Sequence, residues 1–144
     1  MVDLDKTMSA LGRASLFQGL DKRQLERLAQ RFVEREYEAG AAIVSQGKGG
    51  EGFFVLVSGE AKVIRETLDG EKVVVNQFAA GDYFGELALL DEGLRTASVI
   101  TTVPTICLVL TRWDFIGLLK NDAVTAVAIL QELAKRFRLA LNAM

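Results

Sequence analysis

One short stretch combines a glycine, a carboxylate and an arginine at a spacing that suits an anion. Gly85 precedes residues 86–90, whose types favour a helix of little more than one turn. The first N–H groups of such a helix have no partner within it and attract negative charge. Arg95 follows with a guanidinium group, which pairs with phosphate oxygens through two charge-assisted hydrogen bonds. The spacing therefore predicts a phosphate site.

Glu86 conflicts with a simple phosphate site, because a carboxylate repels a neighbouring phosphate. The conflict is resolved if Glu86 accepts a hydrogen bond from a ribose hydroxyl while Arg95 neutralises the phosphate, as in dinucleotide sites. Each charge alone has a simpler explanation: Glu86 caps a short helix, and Arg95 pairs with Asp91 or Glu92 on the surface. Together the two residues favour a sugar-phosphate ligand.

The chain contains no histidine and a single cysteine, Cys107. Histidine is the commonest general base near neutral pH and the commonest ligand of zinc, iron or copper, so histidine-based catalysis is excluded. A metal-dependent β-barrel enzyme is a poor fit for the same reason. Cys107 lies in an apolar run and is predicted to be a buried core thiol. We expect no catalytic residue, no metal and no cofactor.

Composition indicates one domain, residues 1–144, because 144 residues that are 50% hydrophobic supply one core and not two. The 17 basic and 19 acidic residues leave a formal net charge of -2. This balance does not indicate the broad positive surface that binds nucleic acid or an anionic membrane. The first residues lack the apolar segment of a signal peptide. A cytoplasmic protein is expected.

The remaining elements follow from periodicity. Helices are expected over about 1–35 and about 112–143, with Asp21 and Thr111 as helix caps and a break at 121–122. Between them, glycines separate short β-type runs, and Asp69-Gly70 predicts a tight hairpin. This pattern is typical of an antiparallel β-roll, that is, a barrel or jelly roll, over about 40–111. The predicted strands are residues 42–45, 52–57, 61–66, 72–78, 97–101 and 105–110.

The last helix has a wider apolar face than one end of a small barrel needs. Something further is expected to pack there, either a protein partner or a second copy of the chain. The basic cluster 135–138 has two interpretations besides nucleic-acid binding, a solvated helix face or a ligand lid, and both are commoner.

Residues 84–99 resemble the phosphate-binding cassette of the cyclic-nucleotide-binding domains of cyclic-AMP-dependent kinase regulatory subunits, cyclic-nucleotide-gated channels and the bacterial catabolite activator protein. That cassette reads roughly F-G-E-L/I-A-L-L, a short spacer, then P-R-T/S/A-A-S/T-V. This chain supplies residues 84–90 and 95–99 at the same spacing, and the resemblance extends over about 17–138. Leu94 departs from it, because the family usually has proline there, which implies a looser loop.

The resemblance implies a jelly-roll sensor that binds cyclic AMP, or less favourably cyclic GMP, without catalysis. Glu86 would hold the ribose 2′-hydroxyl, Arg95 the phosphate, and Thr96 would help to close the pocket without deciding the base. The ligand-binding residues implied are Phe84, Gly85, Glu86, Leu87, Ala88, Arg95, Thr96 and Ala97.

In relatives the helix after the roll closes over the base. Here the lid candidates are Leu133, Arg136, Phe137 and Arg138. The alternative is a scaffold of the same fold that binds proteins and no nucleotide. The presence of both Glu86 and Arg95 argues against it, because a degenerate site would be free to lose buried charges.

Overall fold

The computed structural model describes residues 4–49, 52–91 and 95–144. It begins with helix α1 (Leu4–Arg13), a 3-10 helix (Ser15–Phe17) and helix α2 (Lys22–Ala29). Asp21 caps α2 as predicted: its Oδ1 accepts from the N–H of Gln24 at 2.8 Å, and the Gln24 side chain accepts from the N–H of Asp21 at 2.9 Å. This reciprocal pair satisfies N–H groups that the helix itself leaves unbonded.

The described strands form two four-stranded antiparallel sheets. The strands are β1 (Val33–Tyr37), β2 (Ala42–Val44), β3 (Gly52–Ser58), β4 (Glu60–Glu66), β5 (Lys72–Ala79), β6 (Tyr83–Phe84), β7 (Ser98–Thr101) and β8 (Thr105–Thr111). One sheet has the order β1-β8-β3-β6 and the other β2-β7-β4-β5. This confirms the predicted roll with flanking helices, although these strands do not close into one barrel.

Strand β1 corrects the predicted boundaries. The roll begins at Val33 and not near residue 40, so the N-terminal helices end before residue 35. The sequence of β1 is Val-Glu-Arg-Glu-Tyr. Its three consecutive charged residues break the alternation of apolar and polar residues that predicts a strand. Its pairing with β8 along its whole length stabilises it instead. The Asp69-Gly70 hairpin is confirmed between β4 and β5.

Strand β3 connects the two parts of the core. Successive side chains of a strand point to opposite faces. Phe53 and Val55 therefore pack with the helices, whereas Phe54 and Leu56 pack between the sheets. Both faces of β3 are buried, which explains its continuous apolar run.

Cys107 lies between the sheets and is 0% exposed, as predicted for a core thiol. Burial raises the pKa of this thiol to about 11, because a thiolate loses its hydration there.

Helices α3 (Arg112–Lys120) and α4 (Ala123–Asn142) follow the roll. Thr111 caps α3, since its Oγ1 accepts from the N–H of Asp114 at 3.2 Å. Asp122 caps α4 by accepting from the N–H of Thr125 at 3.1 Å. It also pairs with Arg27 of α2 at 2.9 Å. Within the described ranges, none of the helices is both long and apolar enough to cross a membrane.

Candidate functional site

Strand β6 delivers the chain to Gly85, where the cassette begins. The Phe84 ring stacks on Phe54 and on Phe78, with centroid distances of 5.0 and 5.1 Å. Phe84 therefore anchors the cassette in the core between the sheets. Gly85 has φ +88°, a left-handed conformation that glycine adopts without steric cost, and a 3-10 helix (Glu86–Leu89) starts directly after it. Leu89 is fully buried and holds the other end of this helix.

The guanidinium of Arg95 lies directly against Gly85. A Cβ placed on Gly85 would be 3.0 and 3.1 Å from Arg95 Nη1 and Nη2, and 2.5 Å from the carbonyl oxygen of Gly52. Arg95 Nη2 donates to that same Gly52 oxygen at 3.1 Å. The Arg95 main chain is fixed as well, because its N–H donates to Lys48 and its oxygen accepts from Gly47. Arg95 is thus held in place both at its guanidinium and at its main chain.

The 3-10 helix supplies the second feature of an anion site. The Ala88 N–H donates to the Gly85 oxygen at 3.0 Å, closing the first 3-10 turn. The N–H groups of Glu86 and Leu87 precede that bond, so they have no partner within the helix. These two N–H groups follow directly after Gly85, the residue against which the Arg95 guanidinium lies. The cation and these amides therefore both lie next to Gly85, an arrangement that suits a phosphate.

Glu86 has partners that its sequence neighbourhood does not suggest. Its Oε1 accepts from the Ser15 hydroxyl at 2.8 Å, and its Oε2 accepts from the Leu16 N–H at 3.1 Å. The carboxylate thus caps the first 3-10 helix, 71 residues earlier in the chain. Sequence reasoning did not single out Ser15, because no local pattern connects residues so far apart.

The remaining cassette residues differ in exposure. The Leu87 side chain is 61% exposed, whereas Ala88 is buried. Thr96 is exposed and Ala97 is half-buried. Ser98, which was not predicted, fixes the end of the cassette by accepting from the Gln46 N–H at 2.8 Å. The expectation about Leu94 falls outside the described residues.

The lid candidates divide between two faces of α4. Leu133 packs on the helical part of the core. Arg136 Nε donates to the carbonyl oxygen of Ser15 at 3.1 Å, and Arg136 Nη2 donates to Gln18 Oε1 at 2.9 Å. Phe137 and Arg138 are exposed. Leu133 and Arg136 therefore face the N-terminal turn, which we define as residues 15–18.

A β-roll that brings a fixed arginine next to a glycine, with helix amides that have no partner within their helix, suits a small anionic ligand. The family model described as "Cyclic nucleotide-binding domain" matches residues 34–122. The chain belongs to this family.

Two curated relatives and one solved structure illustrate the similarity. The cyclic AMP receptor protein of Thermus thermophilus is 33% identical over 123 residues, covering 85% of this chain and 57% of the relative. A cGMP-dependent protein kinase of Caenorhabditis elegans is 40% identical over 101 residues, covering 67% of this chain and 13% of the kinase. The chain thus spans about half of one relative and a small part of the other.

The structure is similar to the N-terminal domain of a transcriptional regulator from Streptomyces coelicolor A3(2). The TM-score is 0.82 at 29% identity, with 94% of each chain covered. The part of this chain covered by the likeness, 94%, is larger than the range 34–122 matched by the family model, which already includes α3.

Proposed function

We propose that this domain binds a cyclic nucleotide and acts as a non-catalytic sensor. The observation that carries the proposal is the Arg95 guanidinium resting on Gly85 at the start of the second 3-10 helix. A cyclic phosphate placed there would accept from Arg95 and from the amides of Glu86 and Leu87. Glu86 would accept from the ribose 2′-hydroxyl, and Thr96 and Ala97 would border the ligand. Phe84 contributes by positioning Gly85.

We propose cyclic AMP as the preferred ligand over cyclic GMP. The receptor named for cyclic AMP matches the larger share of this chain, 85% against 67% for the kinase named for cGMP. Thr96 is exposed at the edge of the cassette and is available to either base. A cytoplasmic location and the absence of nucleic-acid or membrane binding stay predictions.

Closure of α4 over the base is part of the proposal. Phe137 and Arg138 are exposed and available for stacking or cation–π contact with a base. Leu133 and Arg136 are engaged with the core and with the N-terminal turn. They would reach the base only if α4 left that turn, so closure requires these contacts to break.

A second copy of the chain is the proposed partner of an exposed apolar face of α4 that shares Phe137 with the lid. Exposed apolar side chains recur there at alternating spacings of three and four, the repeat by which two helices pair. We call this set the α4 seam: Val127, Leu130, Ala134, Phe137 and Leu141. A seam of this repeat fits an identical helix better than an unrelated surface.

Calorimetric titration with cyclic AMP and cyclic GMP tests the binding proposal. Replacing Arg95 by leucine leaves the phosphate charge without its partner and is expected to weaken binding by about 2 to 5 kcal/mol. Glu86→Gln keeps a hydrogen-bond acceptor and should lose only about 1 kcal/mol. Arg31→Leu, an exposed arginine after α2, is the matched control and should bind as the wild type does.

Equal affinity of Arg95→Leu and the wild type would refute the site. If the wild type binds neither nucleotide, the domain is the scaffold described above. Tighter binding of cyclic GMP than of cyclic AMP would overturn the ligand preference alone.

A further inference from the structure

The N-terminal turn contacts both the cassette and α4. On one side, the Ser15 hydroxyl and the Leu16 N–H each donate to one oxygen of Glu86. On the other, the Ser15 carbonyl oxygen and the Gln18 side chain accept from Arg136. One four-residue segment therefore connects the predicted ribose-binding carboxylate with a predicted lid residue.

The turn is anchored from below by its apolar residues. Leu16 and Phe17 are buried, and the Phe17 ring lies edge-on to Phe53 and Phe115 at centroid distances of 5.9 Å. Large displacement of the turn would expose these rings. The polar contacts above the anchor can change separately, because Ser15 is only half-buried and its hydroxyl rotates freely about Cβ–Oγ.

A ribose 2′-hydroxyl and the Ser15 hydroxyl are chemically the same kind of donor. The Ser15 bond, at 2.8 Å and to a charged acceptor, is of the strong class. A ribose hydroxyl approaching Glu86 must either displace this donor or share the carboxylate at reduced strength. Water can take over the freed serine hydroxyl, since Ser15 is half-buried.

We propose that Ser15 competes with the ribose 2′-hydroxyl for Glu86, and that the bound nucleotide thereby loosens the hold of the N-terminal turn on Arg136. This inference rests on the proposed function. Linkage between two sites is reciprocal, so whatever tightens the turn weakens the ribose contact by the same factor. Ser15 is accordingly a residue that sets affinity without touching the ligand.

The test compares cyclic AMP with its 2′-deoxy analogue, titrated against the wild type and Ser15→Ala. Removing the competing donor should tighten cyclic AMP binding by about two- to tenfold, the range expected for one net hydrogen bond. The 2′-deoxy analogue has no 2′-hydroxyl to donate to Glu86, so its affinity should be the same for Ser15→Ala and the wild type. Ser15→Thr keeps the hydroxyl and should restore wild-type affinity. Ser9→Ala, an exposed serine of α1, is the control.

Amide hydrogen exchange supplies a second readout. Cyclic AMP should increase exchange in the N-terminal turn and at the part of α4 around Arg136, and the 2′-deoxy analogue should do so less. A merely structural role of Ser15 would not separate the two ligands.

The outcomes distinguish the two proposals. If the wild type binds no cyclic nucleotide, the proposed function is wrong and this inference falls with it. If the wild type binds cyclic AMP but Ser15→Ala binds it equally or more weakly, the competition is refuted while the proposed function stands. An equal gain for both ligands also refutes it, because the effect would then not pass through the 2′-hydroxyl.

Discussion

Alanine at position 85 would perturb the cassette in two separable ways. Gly85 has φ +88°, and this left-handed conformation costs a residue with a Cβ about 1 to 2 kcal/mol. The new Cβ would also lie 2.5 Å from the Gly52 oxygen and about 3 Å from the Arg95 guanidinium. Overpacking of this kind adds about 1 to 3 kcal/mol. The free energy of unfolding should therefore fall by about 2 to 5 kcal/mol, measured by urea denaturation.

Gly70→Ala is the matched control for this prediction. Gly70 has φ +82°, and nothing lies within 4 Å of its added Cβ, so this variant carries the backbone strain alone. It should lose only about 1 to 2 kcal/mol and bind nucleotide normally.

The two variants should also differ in ligand binding. Gly85→Ala displaces the guanidinium and should weaken cyclic AMP binding by about tenfold or more, the loss expected for a hydrogen bond to a charged group. If Gly85→Ala matches Gly70→Ala in both stability and affinity, the close approach of Arg95 to Gly85 does not matter and the reasoning fails.

The remaining predictions concern α4. Hydrogen bonds from the Thr125 backbone and side chain, with the charge of Arg27, lower the pKa of Asp122. Its folded-state pKa is thus below its unfolded value of about 3.9, so the stabilisation is complete above that value and disappears as pH falls through the folded pKa. Urea denaturation should show Asp122→Ala about 1 kcal/mol less stable than the wild type at pH 7. The stability difference between the wild type and Asp122→Asn should shrink in acid, because only the wild type titrates at this position; a difference that widens would contradict the assignment. For the α4 seam, sedimentation velocity should show a wild-type dimer that Leu130→Lys dissociates, whereas Gln131→Lys, on a neighbouring face, leaves it intact. A monomeric wild type at high concentration would rule out pairing through the seam.

Local signals in the sequence predicted local structure well. The caps at Asp21 and Thr111 and the hairpin at 69–70 were predictable because their hydrogen bonds join residues three or four apart. Strand β1 was not predictable in this way. Its charged sequence resembles a solvated segment, and its strand conformation depends on pairing with β8, more than 60 positions away.

The candidate site shows the same division. The residue types of Gly85, Glu86 and Arg95 already indicated a phosphate beside a ribose, because charge, donor geometry and backbone freedom belong to the residues themselves. That Arg95 rests on Gly85, and that Glu86 bonds to Ser15 and Leu16, was decided by the tertiary structure. The contacts of Glu86 depend on how the roll stacks against the N-terminal helices, since packing of the buried core sets the distance between residues about 70 positions apart. The chemistry that these three residues can perform could be inferred from the sequence by itself. Which residues they contact was determined only by the tertiary structure.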